Sequence, residues 1–211
     1  MYGVDIAVRR MDDLDKKALA HVREAVESGV VPTVLDLGCG AGGLSVQLAE
    51  AGARVVAVDV GDFDDTFDAL KQEHDVSEGK LRYIHGDMRE VQALVPGEKF
   101  DICCIQRALH YIPYTDAQQF LQSLRSVVNE KLYISVTGLD TAIGEKYSDA
   151  DKGIEERFAP LDTDAMETFS IHEPLCLYTP DEFTTLLTDS GWKVEECWVS
   201  AFGNIKAVCV K

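Results

Sequence analysis

The stretch Val34-Leu35-Asp36-Leu37-Gly38-Cys39-Gly40-Ala41-Gly42-Gly43 decides the fold. The apolar run 31–37 reads as a buried strand that ends in glycines, and 44–51 follows with helical spacing. Glycine lets the chain bend sharply between strand and helix, and it lets a ligand approach the amides at the helix N-terminus. Asp59 lies at the end of the next apolar run, 54–60, where its carboxylate can accept hydrogen bonds from two ribose hydroxyls. A glycine loop after one strand and an acid after the next is the pattern of a nucleoside-cofactor site.

The alternation continues on both sides of this stretch. Residues 14–28 have helical spacing through Leu14, Leu19, Val22 and Val26. Downstream, 65–74 reads as a helix, 81–85 as a strand, 88–94 as a short helix and 100–106 as a strand. A helix over 117–128 and a fifth strand over 132–137 follow. Near-continuous apolar strands alternating with helices predict an α/β fold, a parallel sheet covered on both faces. The end of the chain differs. Thr179-Pro180-Asp181 opens a helix to about Ser190 with Thr179 as N-cap, and 192–200 and 204–210 are strands joined too briefly to pair except antiparallel. Seven strands are expected, mostly parallel with a C-terminal antiparallel hairpin.

Length and charge narrow the function. The 211 residues suit a single domain, with 1–30 as an N-terminal helical cap. Hydrophobic residues make up 46%, enough for a core, yet no apolar run approaches the roughly 18 residues of a membrane span. Residues 1–10 lack the apolar core of a signal peptide. Twenty Lys and Arg against 37 Asp and Glu give a net charge of −17, which repels phosphate backbones, so nucleic acid is not expected as a partner. The six cysteines lack the paired spacing of a zinc or redox motif, so no metal is expected and the thiols read as those of a reduced, cytoplasmic protein.

Which nucleoside cofactor binds is the central question. Gly38-x-Gly40-x-x-Gly43 also fits the dinucleotide fingerprint, with Asp59 at the offset for NAD, so a NAD-dependent oxidoreductase is one reading. Asp36 argues the other way, because a carboxylate two residues before the first glycine would oppose a pyrophosphate and suits a cofactor with a positively charged amino-acid end. With that acid, the stretch resembles the first motif of the class I S-adenosylmethionine-dependent methyltransferases. His85-Gly86-Asp87-Met88, and the segment from Phe100-Asp101 to Leu109-His110-Tyr111, resemble two further motifs of the family. The resemblance covers about 31–211. It implies a doubly wound, Rossmann-like sheet, S-adenosyl-L-methionine as cofactor, and methyl transfer to an O, N or S atom of a small-molecule acceptor. Carried over by position, it implies that Gly38 and Gly40 hold the methionine portion with Asp36 nearby, and that Asp59 binds the ribose. It further implies that Asp87 accepts from the adenine amino group while Met88 packs on the ring, and that Gln106 offers its carbonyl to the methionine ammonium. Two of these acids have plainer readings: Asp36 as a helix N-cap and Asp87 as a turn residue.

Methyl transfer depends mainly on alignment, and a base helps only where the acceptor carries a proton. His110, just past the fourth strand, and His172, with Glu173 to hold its tautomer, are the catalytic candidates; a packing role is the alternative for His110. His21 and His74 read as surface residues and His85 as structural. Arg107, Tyr111 and Tyr178 are candidates for binding substrate. Arg107 could hold a carboxylate on the acceptor or on the cofactor, or pair with a surface acid. Arg9 or Arg10 could close over the cofactor carboxylate. Residues 138–179 are too long for an ordinary connection and carry ten acidic and three basic residues; they read as a lid or as a solvated excursion. A protein or peptide methyltransferase and a non-catalytic cofactor-binding module remain as further readings.

Overall fold

The computed structural model of the protein describes residues 11–211. Arg9, Arg10 and the start of the expected 1–30 cap lie outside the described residues. Helix α1 (Asp13–Glu27) begins at a capping box, in which Asp12 accepts from the Leu14 and Asp15 amides and Asp15 accepts from the Asp12 amide. Its buried Leu14, Ala18, Leu19 and Val22 lie on one helical face. Then β1 (Thr33–Leu37), α2 (Gly43–Glu50), β2 (Arg54–Asp59), α3 (Asp64–Glu73) and β3 (Leu81–His85) alternate as their apolar spacing requires. A 3-10 turn (Met88–Glu90) and the short helix α4 (Val91–Leu94) lead to β4 (Phe100–Gln106). Helix α5 (Tyr114–Leu124) and β5 (Val128–Thr137) follow.

This helix ends sooner and this strand starts sooner than the apolar pattern predicts. Val127 and Val128 continue the helical spacing, but the Phe100 N–H donates to the Val127 carbonyl at 2.9 Å, which draws that stretch away from the helix. After β5, two 3-10 turns and α6 (Thr163–Phe169) occupy the long connection. Helix α7 (Pro180–Asp189) opens at a Thr179–Glu182 capping box with Pro180 in its first turn, and β6 (Lys193–Val199) and β7 (Asn204–Val210) end the chain.

The strands form one sheet in the order β3-β2-β1-β4-β5-β7-β6. β1 is parallel to β2 and β4, β2 is parallel to β3, and β6 pairs antiparallel with β7. This is the expected Rossmann-like α/β arrangement, with its order reversing between β1 and β4. Ligands of such sheets bind outside the carboxyl ends of the strands at that reversal. Among the described residues, no helix is long and apolar enough to cross a membrane.

The chain divides into two compact units. In the first, formed by 11–106 and 124–133, Leu35, Leu37, Ala57, Val58, Ile102 and Ile105 are fully buried. Both Cys103 and Cys104 are buried with them, and burial pushes their thiols well above the ordinary value. Asp101, at the start of β4, accepts from the Thr33 amide at 2.8 Å and from its hydroxyl at 2.9 Å.

The second unit holds 107–123 and 134–211. Here 138–179 is a folded insert and no solvated excursion. Tyr147, Leu161, Ala165, Ile171, Leu175 and Leu177 form its own buried cluster. Arg157, 5% exposed, ties the insert to α7: it donates to the Leu177 carbonyl at 2.9 Å, the Lys152 carbonyl at 2.7 Å and Glu182 at 2.7 Å. The indole N–H of buried Trp192 donates to the Leu121 carbonyl at 3.0 Å.

Candidate functional site

The first unit carries the glycine loop. Gly38, Gly40 and Gly42 have φ of 67°, 52° and 79°, the left-handed region that an L side chain enters only with strain. At Gly42 a Cβ would also stand 2.6 Å from the Phe67 ring. The loop is held from β2: the Gly38 N–H donates to the Val58 carbonyl at 2.8 Å, and the Gly40 N–H donates to Asp59 Oδ2 at 2.8 Å. The other Asp59 oxygen accepts from the Gly61 N–H at 2.8 Å. Asp59 therefore fixes two backbone turns at once and keeps lone pairs for further donors.

Asp36 is 2% exposed at the end of β1 and accepts from the Ser45 hydroxyl at 2.5 Å. It is no N-cap, since Gly42 occupies that position of α2 without a side-chain bond. Burial raises its carboxyl to about 7; the Ser45 bond opposes that, while Asp15 and Asp59 add to it. Among the described residues no Lys or Arg pairs with it. Asp15, from the first turn of α1 and 8% exposed, is a site residue the sequence reading missed; it accepts from Gln106 Nε2 at 2.6 Å. The capping-box spacing was its one visible signal, and that predicts a helix start without reporting proximity to Asp36.

At the end of β3 the plainer reading of Asp87 describes its bonds. It caps the 3-10 turn by accepting from the Arg89 amide at 2.9 Å, and the Arg89 guanidinium grips both its oxygens at 2.5–3.1 Å. The Arg89 side-chain bonds hold its carboxyl below the ordinary value. Met88 beside it is buried. Tyr83 was also missed: it stacks on Phe67 at 4.5 Å and donates to the carbonyls of Gly61 and Asp59, so it supports the turn that Asp59 holds. His85 Nε2 meets the Val60 carbonyl at 2.9 Å, a structural role as expected. His21 is not a plain surface residue, for its Nδ1 meets the Tyr133 hydroxyl at 3.1 Å and burial lowers its pKa.

The second unit carries the candidates that follow β4. Arg107 has φ of 50°, and its N–H donates to both the carbonyl (3.1 Å) and the hydroxyl (3.0 Å) of Ser135. His110 is 3% exposed; its Nδ1 accepts from the Thr137 N–H at 3.3 Å and its carbonyl accepts from the Cys176 N–H at 2.8 Å. That places the ring proton on Nε2. Burial, and secondarily Arg107, depress the imidazole to about 3, so it is a neutral donor and a poor base. Tyr111 lies 4.5 Å from the His110 ring and packs against the insert's cluster. His172 is exposed, and among the described residues none bonds its ring, so Glu173 does not hold its tautomer. Tyr178, expected at the substrate, is instead fully buried, with its ring centroid 5.9 Å from that of Phe183. Its sequence neighbours Cys176 and Leu177 share that burial because the chain there bridges to Gly138 beside β5.

Residues 34–131 match the family described as a methyltransferase domain. A curated relative, the cypemycin N-terminal methyltransferase of a Streptomyces species, is 31% identical over 136 residues, covering 64% of this chain and 52% of the relative. The chain thus spans about half the length of that relative. Among solved structures, the 1,6-didemethyltoxoflavin-N1-methyltransferase of Burkholderia thailandensis, with 1,6-didemethyltoxoflavin and S-adenosylhomocysteine bound, superposes with a TM-score of 0.66 at 18% identity, over 94% of this chain and 78% of that one. The magnesium protoporphyrin IX methyltransferase of Synechocystis, with S-adenosylhomocysteine bound, gives a TM-score of 0.63 at 18% identity, over 94% and 84%.

Proposed function

We propose that the chain is a class I S-adenosylmethionine-dependent methyltransferase and moves a methyl group from S-adenosyl-L-methionine to an O, N or S atom of a small-molecule acceptor, a reading supported by the match of 34–131 to a methyltransferase domain and by the shared fold. The observation that carries this reading is Asp36, a carboxyl buried under the glycine loop with no described cation beside it. A cationic cofactor offsets the cost of ionising such a group, whereas a pyrophosphate would add to it. The residues present fit S-adenosylmethionine in the same sense. The left-handed glycines hold the loop open to close approach, and Asp59, already anchored to two amides, presents its remaining lone pairs to ribose hydroxyls. Gly38 and Gly40 are assigned to the methionine portion, Met88 to the adenine face and Gln106 to the ammonium. Asp87 can serve the adenine amino group only through lone pairs that Arg89 leaves free.

When bound, the cofactor supplies an electrophilic methyl on a sulfonium that leaves as a neutral thioether. The protein's share is alignment and exclusion of water. On the acceptor side we assign Arg107, His110 and Tyr111, with 138–179 as a wall; His110 acts there as an oriented Nε2–H donor. His172, exposed and unheld, contributes only if the acceptor itself orders it. Six free thiols accord with a cytoplasmic setting.

A peptide amine is the second reading, favoured by the relative named as the cypemycin N-terminal methyltransferase. Incubation of metabolite extracts and of peptide libraries with isotopically labelled S-adenosylmethionine, read by mass spectrometry, tests both. Labelled small molecules are expected; label on peptides alone would select the second reading. Calorimetry showing NAD binding without S-adenosylhomocysteine binding would overturn the cofactor assignment.

A further inference from the structure

We propose that Arg107 and His110 form a recognition point for an oxyanionic group, carboxylate or phosphate, on the acceptor; this rests on the small-molecule reading above. Three described residues other than glycine have left-handed backbone: Asp75, Arg107 and Ser170. Asp75 and Ser170 lie at the C-terminal ends of α3 and α6, where such a residue is ordinary. Arg107 instead follows a strand, and strain held in such a place by surrounding bonds accompanies function. Those bonds are explicit, for Ser135, 1% exposed, accepts the Arg107 N–H through both its carbonyl and its hydroxyl.

The side chain so placed is partly buried, and among the described residues no carboxylate pairs with its guanidinium. Among the described arginines, Arg82, Arg89 and Arg157 have carboxylate partners while Arg23, Arg54, Arg107 and Arg125 do not, and of these four Arg107 alone has a left-handed backbone. His110, buried in the 3-10 turn that follows Arg107 along the chain, is its second element. With Nδ1 accepting from Thr137 and the carbonyl tied to Cys176, the ring is fixed and offers only a neutral Nε2–H. Among the described residues nothing accepts that proton. A guanidinium fork and a fixed N–H donor, with no carboxylate to satisfy either, suit an incoming planar or tetrahedral oxyanion.

The test divides a small-molecule extract by ion exchange into anionic, neutral and cationic pools. Each pool is incubated at limiting concentration with isotopically labelled S-adenosylmethionine and wild type, Arg107→Lys or Arg107→Gly. Glycine accepts the left-handed backbone, so this variant removes the cation without adding strain. Label is expected in the anionic pool, with the labelling rate about 10- to 100-fold lower for Arg107→Gly and less reduced for Arg107→Lys. Phosphatase treatment of the pool distinguishes the two anions: label lost indicates phosphate, label kept indicates carboxylate. Calorimetric affinity for S-adenosylhomocysteine should be the same in all three proteins. Its loss in Arg107→Gly would assign the arginine to the cofactor and overturn the proposal, as would label confined to the neutral or cationic pool. Label in no pool, with cofactor binding intact, overturns the small-molecule reading itself and the proposal with it.

Discussion

Two turns leave the carboxyl ends of parallel strands through left-handed backbone, one after β1 and one after β4. The first does so at Gly38, Gly40 and Gly42, and the second at Arg107. In the first unit the turn needs conformation and close approach, and any Cβ is a cost: at Gly42 it would meet the Phe67 ring. In the second unit the same conformation is kept by a residue ill suited to it, clamped by Ser135. A glycine in such a place meets the geometry without cost, whereas an arginine there carries backbone strain that its bonds to Ser135 must offset. The contrast extends to charge. The first unit buries an acid without a described cation, and the second leaves a cation without a described acid.

The contrast can be broken at several points. The largest effect is expected for Gly42→Val, which adds a branched side chain at positive φ against Phe67 and should destabilise the protein by about 3 kcal/mol or more in urea denaturation. A loss under about 1 kcal/mol would mean that the loop rearranges freely and that its glycines are incidental. Next is Asp36. Its folded-state value lies above the unfolded one, so folded apo-protein holds a proton that the unfolded chain has released. Its stability is therefore full below about pH 4 and falls as pH rises through about 7. Asp36→Asn should exceed wild type by on the order of 3 kcal/mol at pH 8 and match it near pH 4, and parallel pH profiles would refute the uncompensated burial.

Asp59→Ala removes the acceptor of two backbone amides and, on the proposed assignment, of the ribose, and should weaken S-adenosylhomocysteine binding by about 1–3 kcal/mol in calorimetry. Unchanged affinity would remove Asp59 from the cofactor site. The smallest effect has the opposite sign: Arg107→Gly should stabilise the protein by about 0.5 kcal/mol as strain is relieved, part of the gain being offset by the greater freedom of glycine when unfolded. A destabilised Arg107→Gly would show that the guanidinium serves the fold and would erase the contrast.

Much of the first unit was legible because its signals are local. The apolar strand, the glycines and the acid at the end of the next strand lie within 34–59, and each specifies its own backbone state. The Thr179-Pro180 helix start was legible for the same reason, since a capping box closes over four residues. What misled was equally local in appearance. Val127 and Val128 continue a helical pattern until a partner strand claims them, and Gly-Asp at 86–87 reads alike whether the acid serves a ligand or its own turn. Tyr178 carries a polar tip that suggests a site, yet the bridge between Gly138 and its own backbone carries the ring into the core.

By itself the sequence determined the order of strands and helices and the glycine turn, and it singled out Asp36 and Asp59 beside that turn, because periodicity and turn chemistry act over a few residues. Only the tertiary structure decided which ionisable groups find partners. Arg89 reaches Asp87 two residues away, Asp15 reaches Gln106 across 91 residues, and Arg107 meets no acid among the described residues. Charge pairing depends on distance in space and on the water removed by burial, and neither quantity is written in the spacing of residues along a chain.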